Sequence, residues 1–547
     1  MRHAITKRLD GKSGASGTGY ALLVGLIGII ALAAITQIGE QIDDMFVTVS
    51  GTTGAASGQG SGTNGADDEV LQAAGCNGFS IPSDWSSVYV SASGSADGSS
   101  CGAIEAPCNL VGANAISSSP AGEKTAFIAI NNVTTPTPGS AFVWQLHQSD
   151  QAVCSAEGSV VRVESAFSIE GENHTFSQVE IGPEDGVSIF SMVNAANRSI
   201  DIGDLVFDGV TLYGYRSVAA INVQSAADLV VTDSSFLATS GDESFDVAIN
   251  VSHSQSNGQQ VPEASIDVSG TVMENINQRF VSFFGATSNA NDLADYKVNI
   301  HGSNNWTGTP NTGLEFYFAT SSHNMLGSVD ISVSGGLDIG EVDVTRRPAI
   351  GVSLTTLEPM TVRAAFDLGT IRVSNESTNT VRGFNINVQN GTNPPNGARA
   401  DVDITMVNTA IDLDLITGKS ANTPNAVFIN RGVQQFQTAG DVCIDMSGLD
   451  MDVEAFSSNS NGIDVIGSHT DPTPVEIVRS SVNNGSYAGA SSSQIRTLLQ
   501  QDHYNNRGHS FAGSRFRDPN VYLTDYVYMG NVGTVTDRTT PCDQPSP

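Results

Sequence analysis

Between about Val160 and Val482 the chain repeats one texture: short runs of alternating apolar and polar residues, broken by Asn, Asp, Gly and Ser. DLVVTDSSFLA (228–238), SIDVSGTV (265–272), YKVNIHGS (296–303), SVDISVSG (328–335) and ADVDITMV (400–407) are examples. A period of two sends every second side chain to one face, so each run reads as a half-buried strand. No strong helix-period segment interrupts the runs. That excludes doubly wound α/β folds and the β/α barrel, which place a helix between successive strands.

The fold class is therefore mainly β. Short strands, variable spacing between them and turns rich in Asn and Gly point to a right-handed parallel β-helix, although an exact repeat length is absent. Stacked immunoglobulin-like sandwiches are the competing arrangement. Their Cys…Trp…Cys spacing is missing, the tryptophans being Trp85, Trp144 and Trp306. The composition, with 56 Gly and 15% charged residues, suits a turn-rich surface protein.

The N-terminus is of a different kind. Arg2, Lys7, Arg8 and Lys12 precede YALLVGLIGIIALAAITQI (20–38), nineteen residues without a charge. As one long α-helix this stretch would extend about 28 Å, roughly the hydrocarbon core of a bilayer. The basic residues before it are expected to stay cytoplasmic, which sends everything after Gly39 outward. Gly51–Asp67 follows, almost entirely Gly, Ser, Thr and Ala, and reads as a flexible tether.

GASGTGYALLVGLIGIIALAAITQIGEQIDDMFVTVSGT resembles the tight-adherence (Flp-type, type IVb) pilins over about 35 residues. The resemblance implies that a prepilin peptidase cuts between Gly14 and Ala15. It also implies that Tyr20 opens an assembly helix with Leu22, Leu23, Leu26, Ile27, Ile30, Ile35 and Ile38 as its apolar surface, and that copies of the chain polymerise through it. Ile38-Gly39, Phe46 and Val49 match the step and tail that follow that helix. One departure stands out: the Glu that the family carries before the Tyr is Gly19 here. An uncleaved signal anchor is the competing reading of the same segment.

After the tether, VYVSASGSADGSSCGAIEAPCNLVGANAI (88–116) resembles the opening of secreted right-handed parallel β-helix proteins. The match lies in Val88-Tyr89-Val90, Gly94, Asp97-Gly98, Pro107, Leu110 and Ala113–Ile116. It implies a short helix closing the first coil. Cys101 and Cys108 flank that loop closely enough to bridge it. Together with Cys76, Cys154, Cys443 and Cys542 they make six cysteines, which fits disulfides in an oxidising compartment, with Cys443–Cys542 as a further pairing. Scattered unpaired thiols are the alternative. No Cys-x-x-Cys pair suggests zinc.

The formal charge of −33, from 57 acidic and 24 basic residues, speaks against nucleic acid as a partner. Carboxylates two apart on a strand share a face, as in Asp401/Asp403, Asp412/Asp414 and Asp450/Asp452. Such pairs could hold Ca²⁺ or act as a glycosidase acid and base. With this many acids, a solvated outer face is the better explanation of them, and neither a cofactor nor a catalytic residue is assigned. Arg346, Arg347, Arg363, Arg372 and Arg382 are the candidates for a lyase base. His503, His509, Arg507, Arg515 and Arg517 form a small basic group near the end. Phosphate-loop and zincin motifs are absent, and the eight Asn-x-Ser/Thr sequons are near what this composition gives by chance.

The chain thus divides into a basic leader (1–14), a hydrophobic helix (15–49), a linker (50–70), an N-terminal cap (71–159), a parallel β-helix (160–485) and a C-terminal cap and tail (486–547). SQIRTLLQQ (493–501) is expected to be a terminal helix, and YLTDYVYMGNVGTV (522–535) a hairpin or pair of strands. The functional expectation is an extracellular filament subunit that passes through the membrane before assembly. A minor-subunit adhesin for surface glycans and a β-helix polysaccharide lyase or hydrolase are the other two readings.

Overall fold

The structure, a computed structural model, describes residues 75–119, 124–134 and 142–159, followed by the strands and tighter turns as far as Thr536–Arg538. Residues 1–74 lie outside it, and with them the leader, Gly14, Ala15, Tyr20 and the rest of the proposed assembly helix, and the linker. Everything described belongs to one unit, Leu71–Pro547. Among the described residues no helix is long and apolar enough to cross a membrane.

The alternating runs form strands that wind through three parallel sheets in a fixed rotation. Thr125–Ala129 lies in sheet 1, Val133–Thr134 in sheet 2 and Val143–Leu146 in sheet 3, and Gln151–Ser155 then returns to sheet 1 beside the starting strand. The rotation repeats for eleven complete three-strand coils, the last ending at Asn461–Gly467. Each strand pairs in parallel with the strand three places on, which makes the domain a parallel β-helix. The first full coil begins at Thr125, within the span that the sequence assigns to the cap.

Coil length varies, and this hid the repeat. Register partners in sheet 1 lie 23 residues apart at Val153 and Phe176 but 40 apart at Phe366 and Met406. The variation is confined to two corners. The sheet 1 to sheet 2 corner takes one to five residues, whereas the two corners flanking sheet 3 range from two to ten.

The tight corner has its own chemistry. Gln178, Asp233 and Asn408 sit there with φ of 55°, 47° and 44°, the left-handed region that Asn and Asp tolerate best after glycine. Gly335 has φ 106°, and a Cβ on it would lie 2.2 Å from the carbonyl oxygen of Gly302 one coil earlier. Buried polar side chains satisfy the backbone at the same corner. Val210 N donates to Ser234 Oγ (3.1 Å), Thr271 N to Asn304 Oδ1 (2.9 Å) and Leu368 N to Thr409 Oγ1 (3.3 Å). On the opposite corner, Asp228 and Asp295 accept from the backbone N–H of Ser265 and Ser328 in the next coil, at 2.8 and 3.0 Å. Much of the Asn, Asp and Ser content is thus turn chemistry repeated coil after coil.

Inward side chains stack into columns along the axis. One runs Phe127, Val153, Phe176, Phe207, Val231, Val268, Ile300, Val333, Phe366 and Met406, all buried. Within it Phe176 and Phe207 stack with centroids 4.9 Å apart and planes 3° apart. The N-terminal end of the core is closed by the helix Leu110–Ser117, whose Leu110 and Ala113 are buried. Asn109 caps it by accepting from Gly112 N at 3.0 Å, and Ser117 Oγ takes the indole N–H of the buried Trp144 at 2.9 Å. Cys101 and Cys108 form a disulfide beside this helix.

At the C-terminal end, Thr536–Arg538 adds a parallel rung to sheet 1 against Val475–Val478, and Ser510–Phe511 pairs antiparallel with sheet 3. Within 522–535 the described strand, Asp525–Tyr526, pairs with Ser514–Arg515 upstream rather than with a second strand in its own segment. The expected helix at 493–501 lies outside the described residues.

Candidate functional site

A three-sided solenoid gives one row of each strand to its core and the other to its outer faces, so chemistry has to be sought on those faces. The outer face of sheet 1 is charged. Lys297, Asp330, Arg363 and Asp403 occupy one register column on successive rungs, their signs alternating. Arg363 Nη1 stands 3.7 Å from Asp330 Oδ1. On the same face His301 Nε2 lies 2.8 Å from Asp267 Oδ1. Opposite charges directly across a ladder stabilise a sheet modestly, and these carboxylates already face partners.

Asp403 follows this logic. Val402 and Ile404 are buried, as alternation requires, and Asp403 points outward yet is only 4% exposed, in register with Arg363. On sheet 2, Asp412 and Asp452 share a register position beside Arg372, and Asp450 stands opposite Ala410. The side chains of Asp401, Asp414 and these sheet 2 acids are outside the described residues. Among the described residues no group of three or more His, Cys, Asp or Glu is placed to hold a metal ion. Arg346, Arg347, His503, Arg507, His509 and Arg517 also lie outside them.

The outer face of sheet 3 has the opposite character. Over nine rungs, from Gln145 to Asn385, its central outward column carries a single charged residue, Glu315, which pairs with Arg279. Asn194, Asn222 and Asn250 form an amide ladder there, each amide N–H donating to the preceding carbonyl oxygen at 2.9 Å. In the adjacent column Phe284 and Tyr317 stack on neighbouring rungs, centroids 5.1 Å apart and planes 14° apart. Both rings are half-buried, between inward residues that are fully buried.

At the N-terminal end a strap crosses the outer face of sheet 1. Cys76 is joined to Cys154 by a disulfide, and Phe79, Ile81, Trp85 and Tyr89 pack on Ala126, Ile128, Ala152 and Cys154 to make a second small core. Asn77 N donates to Ser155 O, and Ser177 Oγ donates to Asn77 O, both at 2.8 Å. The trace of this in the sequence is the lapse of alternation in TAFIA (125–129) and QAVCS (151–155), strands buried on both faces. The side chain of Cys443, in the sheet 1 strand Asp441–Asp445, and the whole of Cys542 lie outside the described residues.

One buried titratable group stands apart. His174 continues the inward column that is apolar from Leu205 onward, following Thr125 and Gln151. Burial lowers its pKa to about 4, outweighing the carbonyls of Gly171 and Gln151 and the carboxylate of Asp150, which act in the opposite direction. Neither ring nitrogen is in hydrogen-bond geometry. The imidazole is therefore neutral at pH 7 and serves the core. No known family model, curated protein or solved structure matches the chain.

Proposed function

We propose that this chain is a pilin-like subunit of an extracellular filament, displaying a parallel β-helix on the outside. The observation that carries the reading is the order along the chain: a basic leader ending in Gly14, an uncharged stretch Tyr20–Ile38, a Gly/Ser/Thr tether and then a disulfide-bonded solenoid. The same apolar surface serves twice, first in the inner membrane and then against like helices of other copies. Prepilin peptidase and the pilus assembly machinery are the partners this requires. The two disulfides support an oxidising, cell-surface location. The winding is taken as right-handed, the hand that parallel β crossovers adopt almost without exception.

Gly19 supports a second reading, a minor pilin or anchored adhesin. The pilin resemblance implies that the carboxylate before Tyr20 pairs with a neighbour's N-terminal amine, and a subunit lacking it leaves that amine unpaired in a low-dielectric core, which is costly if repeated at every step of a filament. Mass spectrometry of the mature protein is expected to find Ala15 at its N-terminus; an intact Met1 overturns the pilin reading. Electron microscopy of sheared surface material is expected to show thick, knobbed filaments made mainly of this chain. Its presence there only as a trace component favours the minor subunit.

A further inference from the structure

We infer that the outer face of sheet 3, around Phe284 and Tyr317, binds an extended neutral glycan. The inference deepens the display reading, on which it rests for its biological use alone. Three independent features single out this face. First, its central column holds one charged residue over nine rungs, Glu315, which is paired with Arg279, in a protein with a formal charge of −33, whereas sheet 1 presents four charged residues on four successive rungs. Second, it is the face bounded by both variable corners, while the corner between the other two sheets stays tight throughout. Variable connections around an invariant scaffold are where binding surfaces are usually built.

Third, its chemistry is that of sugar recognition. The stacked rings of Phe284 and Tyr317 offer apolar surface to the C–H face of a pyranose. Amides and hydroxyls in the same two columns, Asn250 and Ser252 among them, are the groups that exchange hydrogen bonds with its hydroxyls. The rungs repeat at about 4.8 Å along the axis, close to the rise of a sugar unit, so an extended chain meets similar groups at each step. The ligand should be neutral. A polyuronate would be repelled by the whole molecule, and Arg279 on this sheet is engaged by Glu315. A protein partner fits less well: among the described residues the large apolar side chains more than a third exposed, Val111, Val143 and Val407, stand singly, with only Val143 in a strand of this sheet.

The test uses the full chain in detergent micelles, titrated at physiological salt with hexasaccharides of β-1,4-glucan, β-1,3-glucan and α-mannan, and with polygalacturonate. At least one neutral hexasaccharide is expected to bind. Phe284→Ala and Tyr317→Ala should each weaken it about tenfold or more, with Tyr317→Phe close to wild type. Asn299→Ala, on the outer face of sheet 1, should leave it unchanged. Thermal melts identify any variant that fails to fold, and for such a variant slowed hydrogen exchange in the wild-type strands Arg279–Thr287 and Leu314–Thr320 on adding the neutral probe replaces it. Absence of binding by every neutral probe, tighter binding of polygalacturonate, or equal affinity in folded Ala variants overturns the inference. So does concentration-dependent self-association abolished by Tyr317→Ala, which would make the face a contact between copies. Because the assay needs no filament, its failure leaves the assembly reading standing, and the reverse holds.

Discussion

Replacing Cys76 with Ala should peel the strap from sheet 1 and leave the solenoid wound. Without the disulfide, the strap is held by the half-buried Phe79, Ile81 and Trp85, at roughly 1 kcal/mol each. Two hydrogen bonds through Asn77 add about 1 kcal/mol each. Ordering residues 76–84 costs about 1 kcal/mol per residue or more, so these contacts fall short by about 4 kcal/mol. The disulfide closes a loop with a sequence separation of 78, which the chain-entropy relation values at about 4.5 kcal/mol and which restores the balance. The three tryptophans report the outcome. Trp144 and Trp306 are completely buried, whereas Trp85 lies on the strap. In Cys76→Ala one emitter should therefore shift to the red and become open to acrylamide while the other two remain protected. Cys101→Ala is the comparison: its loop separation of 7 is worth only about 2.4 kcal/mol and does not anchor the strap. Unchanged quenching in Cys76→Ala, or simultaneous exposure of all three tryptophans, would refute this account.

Acidification should act through His174. Its folded pKa of about 4 lies below the unfolded value near 6.5, so the unfolded chain binds the extra proton between them. Stability is then complete above pH 6.5 and falls toward pH 4, by about 2 kcal/mol at pH 5; urea midpoints at pH 7 and 5 should show a slope that His174→Leu removes. Phe207→Ala empties a core position stacked on Phe176 and should cost about 3–5 kcal/mol in chemical denaturation, with hydrogen-exchange protection lost first in the flanking coils. Gly335→Ala forces a Cβ against the Gly302 carbonyl at an unfavourable φ, and should lower the melting temperature more than Gly75→Ala, where nothing lies within 4 Å.

The fold was legible because each strand alternates on its own. DLVVTDSSFLA, SIDVSGTV and YKVNIHGS became strands with Leu229, Ile266 and Val298 stacked in one inward column. The spacing between strands was not legible as a repeat, since loops of two to ten residues at two corners break any fixed period without disturbing the register. The Cys101–Cys108 bridge could be read from a short spacing and a nearby turn. Cys76–Cys154 could not, because its partners meet only after sheet 1 has formed. The neutral face of sheet 3 was hidden for a similar reason. Asn194, Asn222, Asn250 and Ser282 are 28 to 32 residues apart in sequence and become one column only through the winding.

The strap also matters for how a displayed solenoid bears load. Parallel strands pulled from one end are peeled in order, so the first rung to receive force is the first to open. Force arriving from the residues before Cys76 does not reach the strand Ser86–Ser95 first, because the disulfide carries it directly to Cys154. Residues 77–153, which include the cap helix and the first complete coil, lie within the closed loop and outside the load path. Beyond Cys154 the path enters the strand Gln151–Ser155, flanked on both sides in sheet 1 by paired strands. Pulled in the oxidised form, unfolding should begin at the coil that follows Cys154 and leave residues 77–153 folded. Under reducing conditions it should instead begin with the strap, shortening the first force peak and lowering it.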